Sequence, residues 1–284
     1  MKRTTYPAHR STQYDWETVF EHPAPITLHT LETGHTTVPL SGMLNLKHPA
    51  AKSLANKRIS VPVYAHLIRH ERFGDYLIDC GLDTSYQHRP YGRVKGLLAR
   101  FIIGESNQNK GQDVASYLHA NQIRLAGAFL THMHFDHIAG IVDLPPDTKY
   151  IANKEEPYLN IPLLYYGDHL RQVDTLSELD IAQGTAMPIL GPCLDLFGDG
   201  SLWAISTPGH TRGHTSFLVN QLQRPTVIAG DACAMQESLD LGVGPGSYST
   251  DRELAQESLD KLRAFAKQYP QVTVHCGHAP ANAE

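Results

Sequence analysis

Apolar and polar residues alternate with a period of two in several short stretches of this 284-residue chain, and follow a helical period in others. The run Pro62, Val63, Tyr64, Ala65, His66, Leu67, Ile68 predicts a strand. Asp75, Tyr76, Leu77, Ile78, Asp79 and Cys80 predict its hairpin partner, across a turn at Phe73 and Gly74. Further strands are predicted at 125–131, 148–152, 201–206, 214–219, 226–230 and 271–276, and helices at 112–121 and 251–268. In the second helix Ala255, Leu259, Leu262, Phe265, Ala266 and Tyr269 share a face. Thr250 with Glu253 forms a capping-box pattern at its start, and Pro270 ends it. Strands interleaved with helices make the fold class α/β, or layered α+β.

Two segments break the pattern. Residues 1–60 hold many Pro, His and Thr, and read as an irregular arm with one short helix at 15–20 ahead of a packed domain at 61–284. Such an arm offers a surface for a homodimer. Residues 153–192 mix aromatic and aliphatic side chains with Pro and Gly, as in an insertion that roofs a pocket or packs as a satellite core.

Composition narrows the class. Apolar residues make up 41%, which is globular rather than disordered. A net charge of -5 leaves no basic footprint for nucleic acid. No apolar run approaches the ~20 residues of a membrane span, and no apolar segment follows Lys2 and Arg3 as a signal peptide requires. Cys80, Cys193, Cys233 and Cys276 form no CxxC pair and read as reduced thiols of a cytoplasmic protein. Of the 17 histidines, those before residue 120 read as solvated.

The candidate chemistry concentrates in Thr131, His132, Met133, His134, Phe135, Asp136 and His137, directly after the predicted strand at 125–131. His and Asp are costly to bury unless paired or metal-bound. In extended chain, residues two apart point the same way, so His132 and His134 can hold one ion. A turn at Phe135 lets Asp136 and His137 reach a second. Imidazole and carboxylate suit zinc, and also iron, manganese or cobalt. Three later spots also follow predicted strands: His210 in "TPGHTRGH", Asp231 in "GD" and His278 in "CGH".

This ordered set, "HMHFDH", "TPGHTRGH", "GD" and "CGH", resembles the metallo-β-lactamase fold superfamily over about residues 62–280. The resemblance implies an αββα four-layer sandwich with a dinuclear site along one edge. By position, His132, His134 and His210 would hold the first metal, Asp136, His137 and His278 the second, and Asp231 would bridge both. Asp79, in "IDCG", matches an acidic position that orients a ligand histidine, or else caps a strand end. His214 takes a supporting role beside His210. His275 is expected to face away from His278, and Cys233 and Cys276 to be small packing residues.

Two ions ~3.5–4 Å apart can hold a bridging water and lower its pKa, giving a hydroxide nucleophile. Asp136 would orient that hydroxide or pass on its proton, as the catalytic carboxylate. No GxSxG elbow suggests a serine nucleophile. Among the branches, the stretch from Asp231 to "CGH" and the aromatic insertion are most similar to the N-acyl homoserine lactone lactonases. That implies a small ester or lactone substrate whose acyl chain lies near Tyr158, Tyr165 and Tyr166. Those lactonases commonly carry a tyrosine three residues after the bridging aspartate; here the position is Ala234, so one of these three would substitute or the substrate differs. Phosphotriesterase-like and thioester hydrolases of the same fold are the alternatives. Thioesterases of the glyoxalase II type usually append a helical domain, whereas this chain stops at Glu284. A non-catalytic metal- or ligand-binding member is the alternative of another class.

Overall fold

The alternating segments assemble into two facing sheets in the computed structural model, which describes residues 1–7, 13–96, 98, 103–158 and 167–279. The first sheet contains β1 (Lys2–Thr5), β2 (Ile26–Pro39), β3 (Arg58–His70), β4 (Gly74–Ile78), β5 (Glu105–Asn107), β6 (Leu125–Phe129), β7 (Tyr150–Asn153) and β8 (Thr175–Leu179). Its order is β1-β8-β7-β6-β4-β3-β2-β5, parallel from β1 to β4 and antiparallel beyond. The second contains β9 (Thr185–Met187), β10 (Gly191–Asp195), β11 (Leu202–Ser206), β12 (Thr215–Val219), β13 (Thr226–Gly230) and β14 (Thr273–Cys276). Here the order is β14-β13-β12-β11-β10-β9, with only β13 and β14 parallel.

Successive side chains of a strand point to opposite faces, and both faces of both sheets are covered. Ile68, Ile78, Phe129 and Ile151 of the first sheet meet Ala204, Phe217, Val219 and Ile228 of the second. On the first sheet's outer face, Leu77, Ala128 and Leu130 pack with Val114 and Leu118. On the second's, Trp203, Leu218 and Val227 pack with Trp16, Leu259, Leu262 and Phe265. The helices involved are α1 (Trp16–Glu21), α3 (Val114–Ala120) and α6 (Arg252–Gln268), while α2 (Leu40–Met43), α4 (Phe135–Ile138) and α5 (Gln236–Leu241) are short. The result is the expected αββα sandwich.

Three local readings change. Residues 26–39, expected to be irregular, form β2, which pairs with β3 from Ile26 opposite His70 to Pro39 opposite Arg58. The register shifts between Glu32 and Gly34. A bulge there moves the later residues to the other phase of the pleat, which hides the alternation in the sequence. Residues 153–192, expected to be an insertion, supply β8 to one sheet and β9 and β10 to the other. The expected capping box also differs. Asp251, not Thr250, caps α6, accepting from the amides of Glu253 and Leu254, while the Thr250 hydroxyl donates to the carbonyl of His210. Replacing Asp251 with Ala should therefore lower the unfolding free energy by about 1 kcal/mol, with Glu253→Ala costing clearly less. Urea titrations of the two variants check this order.

Two early histidines are not solvated. His66 and His70 are buried, and His70 Nε2 donates to Asp199 at 2.9 Å. All four cysteines are buried free thiols. No helix among the described residues is long and apolar enough to cross a membrane.

Candidate metal centre

The chemistry-bearing residues leave the carboxyl ends of β4, β6, β11, β13 and β14, at one rim of the sandwich. Strand ends are well suited to this, because the sheet holds the backbone rigid while the next residues are free of ladder pairing. Asp79 follows β4, His132 and His134 lie between β6 and α4, and Asp136 and His137 lie within α4. His210 and His214 sit in the β11–β12 loop, Asp231 follows β13 and His278 follows β14.

These side chains converge into two donor groups. His132, His134, His210 and Asp231 offer ligand atoms within 4.8 Å of one another, as do Asp136, His137 and His278. Asp231 faces both. Its Oδ2 lies 3.1 Å from His210 Nε2 and 3.8 Å from His132 Nε2. Its Oδ1 lies 3.1 Å from His278 Nε2 and 3.5 Å from His137 Nε2. Asp136 Oδ2 lies 3.6 Å from His278 Nε2.

The ring orientations follow from the groups behind them. Asp79 accepts from the Thr131 amide at 2.8 Å, the Thr131 hydroxyl at 2.7 Å and His137 Nδ1 at 2.7 Å. The single proton of the Thr131 hydroxyl is thus committed, and its oxygen accepts from His132 Nδ1 at 3.1 Å. His278 Nδ1 donates to the Pro62 carbonyl at 2.9 Å. His132, His137 and His278 therefore each turn Nε2 to the centre. His214 is turned the other way: its Nε2 accepts from the Asp231 amide at 3.0 Å and its Nδ1 bonds the Thr207 hydroxyl at 2.9 Å. Nε2 is spent on the Asp231 amide and Nδ1 on Thr207, which is a supporting geometry. Gly230 makes this possible, with φ of 53° and a position where a Cβ would stand 2.8 Å from His214 Nε2.

The donor set fits a cation. His132 Nε2, His137 Nε2 and Asp231 Oδ1 are buried and make no hydrogen bond among the described residues, an arrangement that is costly without a further partner. Burial, with the imidazoles of His137, His134 and His210 nearby, holds His132 well below the usual histidine range. Burial lowers His134 and His210 as well. These rings stay neutral and keep their lone pairs. Burial opposes charge on Asp231 too, yet His278, His210 and His137 hold it well below the usual carboxylate range. Burial likewise opposes charge on His137, but Asp79, Asp136 and Asp231 outweigh it and lift its pKa. Burial opposes charge on His278 as well, and Asp231 and Asp136 again lift it. His132, His134 and His210 thus already have the neutral form that divalent cations take, while His137 and His278 would each release a proton to a bound cation.

The centre opens on a cavity of about 240 Å³, walled among the described residues by Val38, Met43, Ile103, Phe135 and Tyr248. Tyr158 does not belong to this wall. It packs on the first sheet's outer core and donates to the Gly167 carbonyl at 3.1 Å. Tyr165 and Tyr166 lie outside the described residues. Tyr248 escaped the sequence reading because its segment carries neither strand nor helix periodicity. Its segment lies on α2 through backbone bonds from Gly246, Ser247 and Tyr248 to Met43, Ser41 and Gly42. Glu156 also escaped notice, having no sequence neighbour of the same chemistry. His275, as expected, turns from the centre and packs its ring against Tyr64 and His66. Cys233 and Cys276 pack together in the core with their sulfurs 3.6 Å apart.

The chain is similar to several known proteins. The N-acyl homoserine lactonase AttM of Agrobacterium fabrum is 28% identical over 221 residues, which is 78% of this chain and 82% of that protein. The hydroxyacylglutathione hydrolase of Saccharophagus degradans is 27% identical over 166 residues, 58% of this chain and 52% of that protein, so the chain spans about half its length. Among solved structures, an AiiA mutant of B. thuringiensis with N-decanoyl-L-homoserine bound at the active site shares the fold, with a TM-score of 0.68 at 19% identity over 90% of this chain and 94% of that one. The metallo-beta-lactamase superfamily model matches residues 58–278, a span that takes in every donor described above. The chain belongs to the metallo-beta-lactamase superfamily.

Proposed function

We propose that this metal-dependent hydrolase opens lactone rings of the N-acyl homoserine type and that it holds two divalent cations, with zinc the best match to its donors. His132, His134 and His210 would hold the first, Asp136, His137 and His278 the second, and Asp231 both. The observation that carries this reading is the pose of Asp231, with one carboxylate oxygen turned to each donor group. Bound cations supply polarisation of a substrate carbonyl and acidification of a water.

The chain's own residues do the rest. Asp136 lines the cavity and is placed to take a proton from water and return it to the departing ring oxygen. Val38, Met43, Ile103 and Phe135 exclude water and suit an aliphatic acyl chain. Tyr248 lines the same cavity, and from its wall the hydroxyl can donate to a substrate oxygen. It is the phenol that stands in for the one missing at Ala234.

The direct test is base consumption by purified enzyme with short- and long-chain N-acyl homoserine lactones, beside a thioester and a phosphotriester. Turnover of lactones above the others supports the reading. Preference for the thioester, as the hydroxyacylglutathione hydrolase relatives suggest, or for the phosphotriester would replace it. Tyr248→Phe should lower kcat/KM for the lactone by roughly tenfold, the worth of one hydrogen bond. An unchanged value would remove Tyr248 from substrate contact.

A further inference from the structure

Glu156 lies just past β7 and is 2% exposed. A buried carboxylate needs partners, and those of Glu156 come from two different loops. Its Oε1 accepts from the Met133 amide at 2.9 Å, and its Oε2 from the Thr211 hydroxyl at 2.6 Å. The Gly213 amide is a further donor to it. Met133 stands between His132 and His134. Thr211 follows His210, and Gly213 precedes His214. The approach is close: a Cβ on Gly213 would stand 2.3 Å from the Glu156 nitrogen. No comparable tie from Glu156 reaches Asp136, His137 or His278 among the described residues. Burial pushes its carboxyl up to about 7, so measurements at pH 8 keep it ionised.

We propose that Glu156 is a positioning residue that pins the His132–His134 turn to the His210 loop and so sets the geometry of the first donor group alone. This rests on the reading that the two groups hold cations. Groups behind metal ligands typically change metal affinity by about 10–100-fold when removed. A neutral amide in place of the carboxylate would present an NH2 either to the Met133 amide, which cannot accept, or to the Thr211 hydroxyl, which would have to turn from donor to acceptor, and either way it removes the charge that tightens the clamp.

The test is titration of metal-stripped protein with Co²⁺ at pH 8, following stoichiometry by calorimetry and ligand geometry by the visible spectrum. Wild type should bind two equivalents. Glu156→Gln should weaken one of them by about 10–100-fold and alter its spectrum, leaving the other at wild-type affinity. Thr211→Val removes one donor while leaving the carboxylate in place, and should shift the same equivalent in the same direction by a smaller factor; it also serves if Glu156→Gln does not fold. Two unaltered equivalents in folded variants would overturn the assignment. So would equal weakening of both equivalents with a lowered melting temperature, which marks Glu156 as a support of the fold only. Failure of wild type to bind Co²⁺ would instead bring down the metal reading itself.

Discussion

Asp231→Ala should lose at least one of two metal equivalents and lower lactone kcat/KM by roughly a thousandfold, about 4 kcal/mol of transition-state stabilisation. The carboxylate faces four imidazoles, with the nearest Nε2 atoms of His210 and His278 each 3.1 Å away. Asp231 belongs to the first donor group and turns Oδ1 toward His137 and His278 of the second, whereas Asp136 belongs to the second alone. Removing Asp231 leaves His137 and His278 only the more distant Asp136 as a shared carboxylate, at 3.9 and 3.6 Å, and takes away the oxygen that faces each group. Breaking one side of a buried charge pair is costly, on the order of 3–5 kcal/mol, so the variant should also melt earlier. Metal analysis of the purified variant, beside steady-state rates, checks both parts. Full metal content with full activity would remove Asp231 from its shared role.

The second large effect is expected at Asp79. Asp79→Asn should weaken binding of the cation proposed for Asp136, His137 and His278 by about 10–100-fold. The substitution separates hydrogen bonding from backbone strain. Asp79 has φ of 59°, a left-handed conformation that Asn tolerates as well as Asp does. What changes is the proton inventory. Oδ2 now accepts from both the Thr131 hydroxyl and His137 Nδ1. With an NH2 in its place, His137 Nδ1 must accept, its proton moves to Nε2, and the lone pair facing Asp231 is lost. Calorimetric Co²⁺ titration reads this as weakening of one equivalent. Unchanged binding would show that the His137 tautomer is set elsewhere. Asp79→Asn and Glu156→Gln should act on different equivalents, so their effects should add rather than overlap.

How much of this was legible beforehand depends on the range of the interaction that decides each part. The "HMHFDH" run announced its chemistry because four costly polar groups lie within one short turn, a local signal. The strands at 62–68, 125–131 and 226–230 were visible because burial on one or both faces writes itself into every second residue. β2 was not, because its bulge at Glu32 and Gly34 breaks that rhythm and its place is secured by backbone pairing with β3, which accepts almost any side chain. The cap of α6 was misread by one residue, since Thr250 and Asp251 offer the same kind of oxygen and only the packing of the His210 loop decides which turns inward.

The order and kind of the polar residues at strand ends were thus determined by the sequence itself, and with them the fold family and the seven candidate donors. Only the tertiary structure decided which carboxylate oxygen faces which group, why His214 is spent on the Asp231 amide, that Glu156 spans two loops and that Tyr248 lines the cavity. The physical reason is that hydrogen bonds between residues tens of positions apart have no periodicity along the chain. They exist only once the two sheets have closed over their shared core and brought the strand ends to one rim.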